Sequence, residues 1–319
     1  MLHNEPSNIA SCITDTSAVR LSSYRIFFRV DDESAFAIYK WNEEVSSRLM
    51  KLVGVIEITL RNRIHSAMSQ AVQKSATGSP LNNDWFNHLS LGSGSKAKLD
   101  KVLLLKNNRP KNPQPSPNFV VSKMTYGFWP NILKVDKKKD RSRLEWEVYF
   151  PLIFPGLSPE PVGFWKKLKQ RESVIARCFT VGELRNRIAH FEPVWKFGNE
   201  IEEIIPKHNS IPKVVKPAPQ NKHETVARLK MEFSKTMQLL SWLSPHAYQD
   251  YLKSESKRSL DWLITESAID AFIKHKEIER ISFNKSLKAR QIKRLSLKIK
   301  GCSLITVKKE PIGMIFLYP

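Results

Sequence analysis

The chain has 319 residues, with 52 Lys and Arg against 31 Asp and Glu and a formal net charge of +21 at pH 7. That length can bury a sizeable core without help and allows two domains, while the charge calls for a polyanionic partner such as RNA, DNA or an anionic membrane. Three cysteines, Cys12, Cys178 and Cys302, stand too far apart for a disulfide framework or a metal-ligand set.

No apolar run approaches the roughly 20 residues needed to cross a bilayer. The opening MLHNEPSNIASCITD lacks the basic and apolar regions of a signal peptide. The expectation is a cytoplasmic chain with no membrane partner. From Asp31 to roughly Lys74, an acidic start is followed by Leu49, Leu52, Val53, Ile56, Leu60 and Ile64 at helical spacing, which predicts one long helix with a bend near Gly54. A Gly/Ser/Asn stretch and a short segment with Trp85 and Phe86 follow, then a helix from about Lys96 to Lys106. The prolines of Asn107 to Asn118 predict a loop. The block FVVSKMTYGFWPNIL predicts a short buried helix, with Tyr126, Phe128 and Trp129 in the core rather than stacked on bases. FPLIFPGLSPEP, with four prolines, predicts an irregular connection.

Helix returns from about Gly163 to Phe191, where Pro193 stops it. PKHNSIPKVVKPAPQN reads as a loop, His223 to Leu243 as an amphipathic helix, and two further helical stretches reach about Arg280. No alternating strand is predicted before the C-terminal region, so the fold class is all-α, with residues 1–275 as the helical domain and 276–319 as a basic tail. Between Lys274 and Lys300, ten Lys or Arg face only Glu277 and Glu279, and SLITVKKEPIGMIFLYP predicts a β-hairpin. Lys285, Lys288, Arg290, Lys293 and Arg294 of the tail, together with Arg187, are the expected RNA contacts. The apolar residues of 285–300 are too few for a membrane-binding helix face.

The chemistry is expected in VGELRNRIAHF. At 100° per residue, Val181, Leu184, Ile188 and Phe191 form an apolar stripe, Glu183, Asn186 and His190 lie opposite, and Arg185 sits at the boundary. RNA cleavage by a 2′-hydroxyl needs a proton-transfer group, a phosphate holder and a group that fixes geometry. An imidazole near working pH, the planar fork of an arginine and an amide meet these needs in His190, Arg185 and Asn186. On spacing alone a solvated helix face is the commoner explanation.

RNRIAH also fits the pattern of HEPN ribonucleases, an Arg followed by Asn with a His a few residues on. More of the chain resembles the Abi-like (AbiD/AbiF) abortive-infection family of phage-defence proteins. The likeness runs through LSSYRIFF, AIYKWNEEVSSRLMKLVGVIEITLRNRI, TYGFWPNIL, LRNRIAHFEPVW and LLSWLSP, between Leu21 and about Phe272. The resemblance implies an all-α HEPN-type bundle, a homodimer, metal-independent RNA cleavage by Arg185, Asn186 and His190, and in some members control by a small partner RNA. Family members often carry His-His-Glu-Pro where this chain has His190-Phe191-Glu192-Pro193. An echo of the motif, EITLRNRIHSAM, suggests that Arg61 and Asn62 brace the long helix and that His65 is incidental. No metal or cofactor is expected. His88, His208, His223, His246 and His275 lack companions at metal-ligand spacing, and there is no glycine-rich phosphate loop.

Overall fold

Asp31 starts the longest element of the computed structural model, which describes residues 8–205, 212–274, 280–282, 301–307 and 310–317. Its carboxylate accepts the Ser34 N–H at 2.8 Å, and Asp32 and Glu33 follow in the first turn. Such groups offset the unpaired N–H groups and the positive end of the helix dipole. The helix α3 (Asp32–Ala71) then runs 40 residues, roughly 60 Å at 1.5 Å per residue. It passes through Gly54 as unbroken helix, so no break accompanies the expected bend.

One stripe of α3, from Ile38, Trp41 and Val45 to Ile64, Ala67 and Met68, is fully buried. The other helices assemble on it: α1 (Ile9–Thr16), α2 (Ala18–Phe28), α4 (Ser93–Leu103), α5 (Pro117–Lys123), α6 (Phe128–Ile132), α7 (Trp146–Ile153), α8 (Leu168–Ala189), α9 (Lys222–Leu243), α10 (Pro245–Leu252), α11 (Glu255–Leu263) and α12 (Glu266–Ile273). α2, α7, α8, α9, α11 and α12 all pack directly on α3. Polar ties fix the packing: Trp41 Nε1 donates to Leu263 O at 2.7 Å, and Asn42 Oδ1 accepts the Val194 N–H at 2.9 Å. The described chain is an all-α bundle, and Tyr126, Phe128 and Trp129 are buried in its core. No helix among the described residues is long and apolar enough to cross a membrane.

Several expectations require correction. FPLIFPGLSPEP is not all irregular, because its first four residues complete α7 with Pro151 inside it. Burial of Trp146, Phe150 and Ile153, and a bond from Trp146 Nε1 to Val135 O, outweigh the proline's missing donor. Helix α8 starts at Leu168 rather than near Gly163, which has φ 80° and precedes a 3-10 turn over 164–166. Among the described residues three short helices, not two, follow α9. Each begins with a Ser or Thr side chain that accepts an N–H two or three residues into the helix.

Strands also precede the C-terminal region. β1 (Gly78–Ser79) pairs antiparallel with β2 (Asn82–Asn83), and β3 (Glu200–Ile201) with β4 (Val214–Lys216) inside the expected loop. The expected hairpin forms from β6 (Gly301–Val307) and β7 (Glu310–Leu317), with β5 (Arg280–Ser282) added in parallel to β6. Lys285, Lys288, Arg290, Lys293 and Arg294, as well as His208, His275 and the expected boundary at 275/276, lie outside the described residues.

Candidate functional site

Helix α8 is anchored by two arginines upstream of the motif. Arg171 is fully buried, lies over the Trp146 ring at 4.9 Å, and donates to Trp165 O, Lys166 O and Asp136 Oδ1. Arg177 forks onto Glu203 at 2.6–3.0 Å and bonds Gln238 and the Lys235 carbonyl of α9. Burial acts to raise the Glu203 carboxyl, and its bonds to Arg177 and Lys235 outweigh this and hold it below the ordinary range. Between the arginines and the motif, Gly182 sits against the Tyr126 ring, and Tyr126 donates its hydroxyl proton to Cys178 O at 2.9 Å. The thiol of Cys178 is buried, and burial holds it protonated.

The end of α8 fixes His190. Glu192 N–H bonds Arg187 O at 2.9 Å and Phe191 N–H bonds Ile188 O at 3.0 Å, the pair of bonds that closes a Schellman cap. His190 is the terminal residue, and its own N–H bonds Asn186 O at 2.9 Å. Phe191 takes the left-handed position at φ 55°, where glycine is usual. A side chain there is strained by about 1–2 kcal/mol. The Arg20 guanidinium bonds the Phe191 carbonyl at 3.2 Å and holds the turn to α2.

The expected residues therefore separate by face. Asn186, Arg187 and His190 line one wall of an open cleft of about 470 Å³, with residues 197–204 and α9 forming the rest. Asn186 and His190 are exposed, and neither side chain bonds another described residue. Arg185 is not in that wall. It points to α3, where its Nε lies 3.4 Å from Glu57 Oε2, both side chains being partly covered. The far wall is acidic, but its buried groups are paired: Glu200 with Lys235 and Arg228, Glu232 with Arg228, and Glu203 with Arg177 and Lys235.

Phe191 also leaves the apolar stripe in which it was expected. Val181 and Ile188 are buried and Leu184 is half-buried against the core, whereas Phe191, beyond the helix end, is 75% exposed. Sequence reasoning missed this because phenylalanine is not a residue expected at a left-handed cap.

The second LRNRI segment, Leu60–Ile64, behaves differently from expectation. Arg61 Nε bonds the neighbouring Asn62 Oδ1, while it is Arg63 that reaches another helix, at Leu152 O of α7, 3.1 Å away. His65 is structural rather than incidental. Its Nδ1 accepts the Trp85 indole N–H at 2.8 Å, so Nε2 carries the proton and donates to Asn82 Oδ1 at 3.0 Å. Burial is the main cause that lowers its pKa. Among the described residues no group of three or more His, Cys, Asp or Glu is arranged to hold a metal ion.

No curated protein and no solved structure matches the chain. A family profile described as Abi-like protein matches residues 12–196. That span runs from α1 through both LRNRI segments to the first residues after the cap of α8. It covers more than half of the sequence, and the chain belongs to the Abi-like protein family.

Proposed function

We propose that the chain is a metal-independent HEPN-type endoribonuclease that acts in abortive-infection defence against phage. Membership of the Abi-like family supports the defence role and is compatible with a nuclease. The observation that carries the chemistry is Asn186 and His190 one turn apart on an open rim, with unengaged side chains and His190 fixed by a closed cap. In the proposed step a 2′-oxygen attacks the adjacent phosphorus and the bond to the 5′-oxygen breaks. A neutral imidazole takes the 2′-hydroxyl proton and a protonated one returns a proton to the leaving oxygen. The products carry a 2′,3′-cyclic phosphate and a 5′-hydroxyl. One chain offers one such imidazole, so a homodimer with two His190 residues at one cleft supplies both roles. Arg185 holds the phosphate, Asn186 orients it, and Arg187 with Lys285, Lys288, Arg290, Lys293 and Arg294 adds affinity for RNA. A small partner RNA on the same surface is the proposed regulator.

The test is His190→Ala in the full chain. Cleavage of single-stranded RNA should fall by about 10²- to 10⁴-fold while RNA binding stays, and EDTA should leave the parent's activity unchanged. The pairing of Arg185 with Glu57, away from His190, favours a second reading, a non-catalytic RNA-binding scaffold in phage defence. Equal toxicity of His190→Ala and the parent in cells, with the same RNA bound, would select that second reading.

A further inference from the structure

Phe191 is out of place in two ways at once. Its backbone occupies the left-handed position that glycine takes without strain, and its ring is 75% exposed, so burial against the chain does not offset that strain. The left-handed turn is repaid by the cap bonds it closes, and any residue could supply those backbone bonds, so nothing within the chain accounts for an exposed phenylalanine ring there. Strain kept at an exposed position beside a reactive group is a pointer to function. The position is also rigid. Two cap bonds and the Arg20 guanidinium on the Phe191 carbonyl fix the turn. The ring's chain neighbours are His190 on one side and Glu192 on the other, both exposed.

We infer that Phe191 is a nucleobase-stacking residue, which seats a base of single-stranded RNA next to the phosphate served by His190. The inference rests on the ribonuclease reading for its location and adds the class of contact. A base flanks every phosphate in RNA, and His190 and Glu192, on either side of Phe191, both line the cleft, which puts Phe191 at its edge. A single exposed aromatic between charged and polar neighbours suits stacking, which accepts any base because every base has a π-face. The ring's chain neighbours His190 and Glu192 add no apolar surface beside it. Stacking is therefore expected to add affinity and to hold the strand in register without choosing a sequence.

The strain gives the test two readouts of opposite sign. In the full chain carrying His190→Ala, so that RNA stays intact, Phe191→Gly should raise the melting temperature by about 2 °C through relief of the left-handed side chain. The same change should weaken binding of a mixed-sequence single-stranded RNA 20-mer by about 5- to 100-fold. Phe191→Trp should keep the affinity. With a 20-mer in which every nucleotide is abasic, so that no register offers a base, the parent and Phe191→Gly should bind alike.

Unchanged affinity of Phe191→Gly for intact RNA overturns the inference. So does a loss of affinity that appears only together with loss of the dimer in light scattering, since Phe191 would then be an interface residue. In the His190-intact protein, cleavage that is insensitive to Phe191→Gly removes the stacking role and leaves the nuclease reading standing. Binding that depends on Phe191 in a protein that never cuts RNA does the reverse. A parent that binds no RNA overturns both.

Discussion

At the scale of single residues, the ion pair between Arg185 and Glu57 bears directly on the proposed role of the motif. A guanidinium 3.4 Å from a carboxylate, both partly covered, is a modest attraction of roughly 0.2–1 kcal/mol. An RNA phosphate offers Arg185 a stronger, bidentate acceptor. On the proposed ribonuclease reading, Glu57 competes with RNA for Arg185, and its negative charge repels the phosphate. Glu57→Gln keeps the shape and removes the charge, and it should tighten RNA binding by about 2- to 5-fold in a fluorescence titration. Weaker binding would mean instead that Glu57 aims the arginine. If Arg185 holds the phosphate as proposed, Arg185→Ala should weaken binding and cleavage together, because one side chain would serve the ground state and the transition state.

At the scale of elements, α3 and α8 show what the sequence made legible. Helix α3 spans 40 residues and α9 spans 22, so their periodicity was unmistakable and the observed bounds differ little from those expected. The spacing of Asn186 and His190 was legible for the same reason, since positions four apart share a helix face. Three features were not. α7 carries Pro151 and is held by core packing of Trp146, Phe150 and Ile153, a tertiary effect that local propensity does not report. The Glu57 partner of Arg185 lies 128 residues away in sequence. β3 and β4 have two and three residues, too few to carry an alternating pattern.

Gly182 shows how the two kinds of information combine. In a helix interior Gly→Ala normally stabilises by about 1 kcal/mol. Here the new Cβ would lie 2.8 Å from Tyr126 Cε1, and that ring is buried and tied to Cys178 O, so it cannot swing away. Overpacking of this kind carries a penalty of roughly 1–3 kcal/mol. Gly182→Ala should therefore destabilise the protein by about 1 kcal/mol in denaturant unfolding. A gain in stability would show that α8 can shift away from Tyr126.

At the scale of the whole molecule, acid should loosen the bundle in two separate steps. The first belongs to His65, which staples the 3-10 turn at 85–87 to α3 through Trp85 and Asn82. Its folded pKa is lowered, chiefly by burial, so the unfolded chain binds the proton more readily. The stability it supplies is complete above the ordinary histidine value of about 6.5 and is lost as pH falls through the window below that value. Protonation also removes the acceptor at Nδ1, leaving the Trp85 N–H without its partner. The second step belongs to Glu203, the hub between Arg177 of α8 and Lys235 of α9. Its pKa is lowered too, but as an acid it contributes stability above the ordinary glutamate value of about 4.3, and this is lost as pH falls below it. Melting temperature against pH should thus fall once below about 6.5 and again below about 4.3. His65→Gln should flatten the first fall and leave the second, while Glu203→Gln should do the opposite. These groups lie apart, on α3 and beside the cleft, so the two effects should add. If either variant flattened both falls, acid would be acting through one shared opening of the bundle rather than through two local sites.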